Sequence, residues 1–172
     1  MRVSLRIVLA AAVLALVTSQ PVIASNDLGF RTSSDSYVSY SMYLLETTTH
    51  TSVHYSIDNN INPTDISAQP FHDIGGKEVM VFDSTGYGNT GWVGAFSCGN
   101  WGSTTVCLNG QVDLNLYYGP YGQVESDSIM CEELGHSAGL DHAPGSSSCM
   151  SQDPTKRLWD SHDKSIVNAH YP

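Results

Sequence analysis

The side chains best suited to chemistry are gathered in one stretch, Glu132-Glu133-Leu134-Gly135-His136-Ser137-Ala138-Gly139-Leu140-Asp141-His142. Residues four apart on a helix are displaced by about 40° around its axis, so Glu132 and His136 share a face. Gly139 lets the chain leave the helix in a left-handed conformation without a Cβ penalty, and His142 can then swing back toward the same point. The spacing is that of the long zinc signature H-E-x-x-H-x-x-G-x-x-H, with Glu132 standing where the first histidine should be. Three protein ligands leave a coordination position open, the arrangement of a catalytic zinc rather than a structural one. Glu133 is the natural base for a metal-activated water, whose pKa falls from about 16 toward 7 on zinc.

A carboxylate at position 132 can serve as a ligand. Zinc accepts Asp or Glu oxygen at about 2.0–2.2 Å, and two histidines with one glutamate form a known catalytic set. The consequence is electrostatic: Glu132 and Glu133 together formally neutralise a divalent ion, which makes it a weaker Lewis acid than three neutral imidazoles would. Cys131 is a poor substitute, because it lies about 140° from His136 around the helix.

Several elements must position these residues. Ser126 or Asp127 can cap a helix that carries the stretch and runs to about Ala138. Asp160 opens a final helix to about Ala169, supported by Leu158, Ile166 and Val167. Glu78 to Phe82 reads as a buried strand, and Gly91 to Cys98 as a short edge strand within a block dense in glycine and aromatics. Asn109-Gly110 between two apolar stretches of Thr104 to Leu116 is a tight-turn signal. Thr51 to Ile57 alternates as a strand, with Val53, Tyr55 and Ile57 on one face. Thr64 to Gln69 suits one or two helical turns between prolines. Residues 25–49, rich in Ser, Thr and Tyr, read as a loosely held N-terminal segment with one edge strand around Tyr37 to Tyr40, or as a prosegment. His50, His54, His72, His162 and His170 are scattered and read as surface or core side chains.

The chain begins like an export signal, with Arg2 and Arg6 ahead of an unbroken apolar run from Ile7 to Val17 and small residues up to Ala24. Such a run rises only about 16 Å as a helix, too little to cross a hydrocarbon core of about 30 Å. Residues 1–24 are therefore expected to be a signal peptide, and a secreted, extracellular protein without a membrane anchor follows. What remains suits one domain. With 17 acidic residues against seven Lys and Arg, the net charge is −10, which repels phosphate backbones and argues against nucleic acid as a partner. The four cysteines fit an oxidising compartment and two disulfides. Of the three possible pairings, Cys98–Cys107 with Cys131–Cys149 is favoured: the first closes a short hairpin-like excursion, the second ties the Glu132–His136 helix to the loop beyond it.

Glu133 to His142, with Cys131 before them and Ser148-Cys149-Met150 just beyond, resemble the metzincin zinc metalloproteases, in particular small secreted bacterial members of the matrixin type. The specific part of the resemblance is residues 129 to 151; in element order it extends over residues 50–172. It implies an α+β domain with a mixed, mostly parallel twisted sheet, an active-site helix, a Met-turn at Met150 beneath the metal, and a C-terminal helix. Carried over residue by residue, Glu133 is the general base, His136 and His142 are ligands, and Glu132 occupies the first ligand position. Members of this kind place a long helix between their first two strands, whereas that segment here reads as short and bounded by prolines.

The expected function is zinc-dependent hydrolysis of internal peptide bonds by a monomer, with one catalytic Zn2+ and a polypeptide substrate lying extended along the strand near Gly91 to Cys98. Two rivals come from other classes: a catalytically degenerate relative that acts by binding only, and a disulfide-stapled structural protein without metal.

Overall fold

The computed structural model describes residues 26–73 and 77–171; the expected signal peptide lies outside the described residues. The strands are β1 (Arg31–Thr32), β2 (Tyr37–Ser41), β3 (Ser67–Phe71), β4 (Val79–Ser84), β5 (Gly94–Cys98), β6 (Trp101–Ser103), β7 (Val106–Cys107) and β8 (Gly110–Asn115). The helices are α1 (Thr47–Ser56), α2 (Gln123–Ser137) and α3 (Ser161–His170). The architecture is α+β. A five-stranded sheet runs in the order β3-β2-β4-β8-β5, parallel throughout except for the antiparallel edge strand β5. A small second sheet, β1-β7-β6, stands beside it. No helix among the described residues is long and apolar enough to cross a membrane.

Three expectations are corrected in the N-terminal half. Thr51 to Ile57 is not a strand: α1 occupies it, and a π-helical turn, Ile57–Ile61, extends it. Its buried positions are Thr49, Ser52, Val53, Ser56, Ile57, Asn60 and Ile61, a helical stripe in which small polar residues alternate with apolar ones. Hydropathy hides such a stripe, because a buried hydroxyl is acceptable only where a partner meets it. Here Ser52 Oγ donates to Asp127 Oδ1 at 2.8 Å and lies 2.9 Å from Ser126 Oγ, joining α1 to α2. The segment between β2 and β3 is thus a helix rather than the short, proline-bounded stretch expected. Thr64 to Gln69 is not helical but leads into β3; Pro70 is tolerated there because β3 is an edge, where a missing N–H costs no ladder bond.

The segment 25–49 is not loosely held either. β2 lies between β3 and β4 rather than at an edge, with Val38, Ser39, Tyr40 and Ser41 buried. Its register is further fixed by Glu78, whose Oε2 accepts from the Ser39 backbone N–H at 2.9 Å and from the Ser39 hydroxyl. Before β2, Leu28 N–H donates to the Gly139 carbonyl at 2.8 Å, and Thr32 N–H to the Tyr171 hydroxyl at 2.8 Å. The N-terminal residues therefore brace both the end of α2 and the chain after α3.

The strand at Glu78 to Phe82 is realised as β4 and the Gly91 to Cys98 edge strand as β5. Asn109-Gly110 does not close a hairpin: β7 belongs to the small sheet, and Gly110 begins β8 by donating to the Glu78 carbonyl at 2.7 Å. The excursion between the sheets is closed instead by antiparallel β6 and β7 and by a Cys98–Cys107 disulfide with a Cα–Cα separation of 5.9 Å. Helix α2 starts earlier than Ser126, with Gly122 as its N-cap, because Ser126 and Asp127 are committed to α1 and Asp127 also to Arg157. Asp160 does cap α3, and Asp163 completes a reciprocal capping box with it.

Candidate functional site

Helix α2 packs against α1, β8 and the edge strand β5, with Met130 and Leu134 in the core. This orientation turns Glu132 and His136 toward a cleft of about 540 Å3 bounded on its other side by Gly91 to Phe96. The helix ends in a Schellman turn: Leu140 N–H donates to the Gly135 carbonyl and Gly139 N–H to the His136 carbonyl, both at 3.0 Å, with Gly139 at φ 94°. That turn does two things. It reverses the chain so that His142 returns to the cleft, and it aims the Leu140 carbonyl at His136, whose Nδ1–H donates to it at 2.8 Å. A carbonyl only accepts, so the proton sits on Nδ1 and the Nε2 lone pair faces the cleft. Burial holds the His136 pKa below the ordinary histidine value against the opposing pull of this hydrogen bond, which favours the neutral, ligating form.

The three sequence-derived ligands converge. His142 Nε2 lies 2.9 Å from Glu132 Oε1 and 3.1 Å from His136 Nε2, and one ligand atom from each lies within 4.8 Å of the other two. Donors bound to a common zinc at about 2.0–2.2 Å and tetrahedral angles would stand about 3.3–3.5 Å apart, so small adjustments suffice. The donor chemistry fits a cation too: two imidazole nitrogens and a carboxylate oxygen meet at one point. Glu132 points to the histidines rather than away from them.

Glu133, next along the helix, is 6% exposed, and its Oε2 has no hydrogen-bond partner among the described residues. Burial, with the nearby charges of Glu132 and Asp113, pushes its carboxyl up to about 8. The close approach of β5 makes this cradle. A Cβ on Gly94 would sit 2.5 Å from Glu133 Oε1 and 2.7 Å from Ile129 Cγ2, so only glycine fits without displacing the carboxylate. Gly94→Ala should therefore destabilise the fold by about 1–3 kcal/mol through overpacking against Glu133 and Ile129, read by urea denaturation.

Below α2, Met150 is fully buried on a short 3-10 turn, Cys149–Ser151, and its carbonyl accepts from Ala143 N–H at 2.8 Å. Gly135 makes room for it: a Cβ there would collide with Met150 Sδ and lie 3.2 Å from Trp159 Nε1. The Cys131–Cys149 disulfide, Cα–Cα 6.1 Å, fastens α2 to this turn.

Two site residues were not anticipated. Gln152, in a left-handed conformation at φ 63°, brings its side-chain nitrogen to 3.4 Å from His142 Nε2. Its proximity to Met150 in sequence was the only available signal. Asp113 reaches Glu133 electrostatically from β8, which no local pattern reveals. No protein-family model matches this chain, and no curated protein matches it.

Proposed function

We propose that this protein is a secreted zinc-dependent endopeptidase of metzincin type that hydrolyses internal bonds of an extended polypeptide. The observation that carries the reading is the meeting of Glu132, His136 and His142 on one side of a cleft, with the buried, unpartnered carboxylate of Glu133 beside them. Glu132, His136 and His142 would hold the ion, with Met150 packed beneath their helix. Bound zinc supplies Lewis acidity, polarising a carbonyl and lowering the pKa of water toward neutrality.

The chain's own residues supply the rest. Glu133 takes the proton of the attacking water and returns it to the departing amine, a task suited to a carboxyl that burial raises above the ordinary carboxylate range. The outer edge of β5 accepts a peptide as an added strand, so main-chain hydrogen bonds set the substrate's register along the cleft. Val93, Phe96 and Ile129 give that cleft apolar walls. The site is complete within one chain, in keeping with a monomer. Two disulfides support a location outside the cell, and the net charge of −10 argues against a nucleic-acid substrate.

The rival is a binding protein that keeps the cleft without the chemistry. It draws on the negative charge of Glu132, which weakens the ion as a Lewis acid. Zinc analysis combined with casein cleavage separates the readings. The peptidase reading expects about one zinc at this site, cleavage abolished by 1,10-phenanthroline, and recovery on adding zinc. Wild-type protein that is inert while Glu132→His cleaves would establish the binding protein instead. Absence of zinc from the wild type, with no uptake on titration, would leave a structural protein.

A further inference from the structure

We propose that His50, His54 and His72 form a second metal site, for one borderline divalent cation of the Zn2+ class, on the side of the fold away from the cleft. His50 and His54 are four apart on α1 and share a face; the helix's buried stripe of Thr49, Ser52, Val53 and Ser56 is directed elsewhere. His72 follows immediately after β3, the strand on the far edge of the sheet from β5. The fold thus brings together three histidines separated by up to 22 positions, and one ring nitrogen from each lies within 4.8 Å of the other two. His50 Nε2 and His72 Nδ1 are 3.4 Å apart, close to the separation of about 3.3–3.4 Å expected of two imidazole nitrogens on a tetrahedral zinc. The ring centroids stand 4.8, 5.2 and 6.2 Å apart. None of the three lines the cleft described above.

A purely structural cluster accounts for this less well. One hydrogen bond can join His50 to His72, but it leaves His54 facing both rings without a partner among the described residues. No ion pair among the described residues joins a carboxylate to any of the three; Asp73, adjacent to His72, is taken by Lys77 at 3.5 Å. Three imidazoles select Zn2+, Ni2+ or Cu2+ over Mg2+ or Ca2+, and the exposure of His72 leaves a coordination position open to water.

The site has a mechanical use. Both disulfides lie at or beyond Cys98, so no covalent link ties the elements before it. An ion on these three histidines would clip α1 to the end of β3. Because α1 in turn holds α2 through Ser52, the clip also supports the helix that carries Glu132 and His136.

Zn2+ titration of the chelator-stripped, untagged, secreted protein tests this independently of the peptidase centre. Calorimetry and elemental analysis should give two equivalents. His72→Ala and His54→Gln should each remove one equivalent and leave the one that His142→Ala removes, with metal-free melting curves matching the wild type. His72 is exposed and outside regular structure, so its substitution leaves the fold intact. If the wild type binds a single equivalent that His72→Ala and His54→Gln each abolish and His142→Ala does not, the second site stands and the peptidase centre falls. If stoichiometry is unchanged by both His72→Ala and His54→Gln, or the single equivalent depends only on His142, the proposal is overturned.

Discussion

With Glu133→Gln, the proposed peptide hydrolysis is expected to fall about 10²–10⁴-fold in kcat, the usual share of a general base, while KM and the metal uptake proposed for the site stay close to those of the wild type. Glutamine has the same shape, so it fills the cradle between Gly94 and Ile129 without opening a cavity. It cannot accept a proton from water. The atoms that could hold an ion belong to Glu132, His136 and His142, not to Glu133, so metal uptake is a control for the integrity of the site. Steady-state kinetics with zinc analysis on the same samples checks both halves. Undiminished turnover would show that another group activates the water.

The same substitution has a separable effect on the metal-free protein. Burial first, then Glu132 and Asp113, raises the Glu133 carboxyl from 4.5 to about 8. Between those values the folded chain retains a proton that the unfolded chain has released. The penalty for ionising the buried group is absent below about 4.5 and grows until pH reaches about 8, so stability falls as pH rises through that window. At about 1.4 kcal/mol per pH unit the loss is on the order of 3–5 kcal/mol. Urea denaturation in EDTA at pH 5 and pH 8 should show this slope in the wild type and its disappearance in Glu133→Gln. Equal slopes in the two proteins would contradict the assigned burial.

Replacing both Cys131 and Cys149 by alanine should destabilise the protein by about 3–5 kcal/mol. Cross-linking residues 18 apart removes loop-closure entropy worth about 3 kcal/mol from the unfolded chain. Both sulfurs are also fully buried, so their loss leaves poorly filled core. For a domain of this size that corresponds to a Tm about 6–20 °C lower, measurable by calorimetry. Function should suffer with stability. Cys131 immediately precedes Glu132 and Cys149 immediately precedes Met150, so the bridge holds the ligand helix over the turn beneath it. A weakening of zinc binding at this site by about 10- to 100-fold is expected, as when supporting contacts around metal ligands are lost. The corresponding Cys98/Cys107 substitution is the control: it frees the excursion between the two sheets and should leave zinc affinity unchanged. Equal loss of zinc in both variants would mean that the effect is general loosening.

Much of the candidate site was legible because its information is local. Helical periodicity alone puts Glu132 and His136 on one face, and Gly139 alone permits the turn that returns His142. Asp160 announces α3 through capping chemistry that needs nothing from the rest of the chain. The edge strand expected within Gly91 to Cys98 and the disulfide pairing favoured among the three possible ones both appear in the fold.

What escaped the sequence depends on partners distant in the chain. Thr51 to Ile57 reads as a strand because the buried Ser52 hydroxyl looks like a surface group until Ser126 and Asp127 of α2 meet it. Tyr37–Ser41 looks like a stray edge until β3 and β4 flank it on both sides. His50, His54 and His72 are scattered in sequence and become a cluster only when the fold brings the residue after β3 to α1. The residue types and spacing by themselves thus determined which side chains could bind a metal and move a proton. Only the tertiary structure decided that Glu132 faces the histidines, and that Glu133 is buried without a partner against Gly94. Periodicity fixes which face of a helix a residue is on, but orientation, burial and electrostatic surroundings come from what that face is packed against.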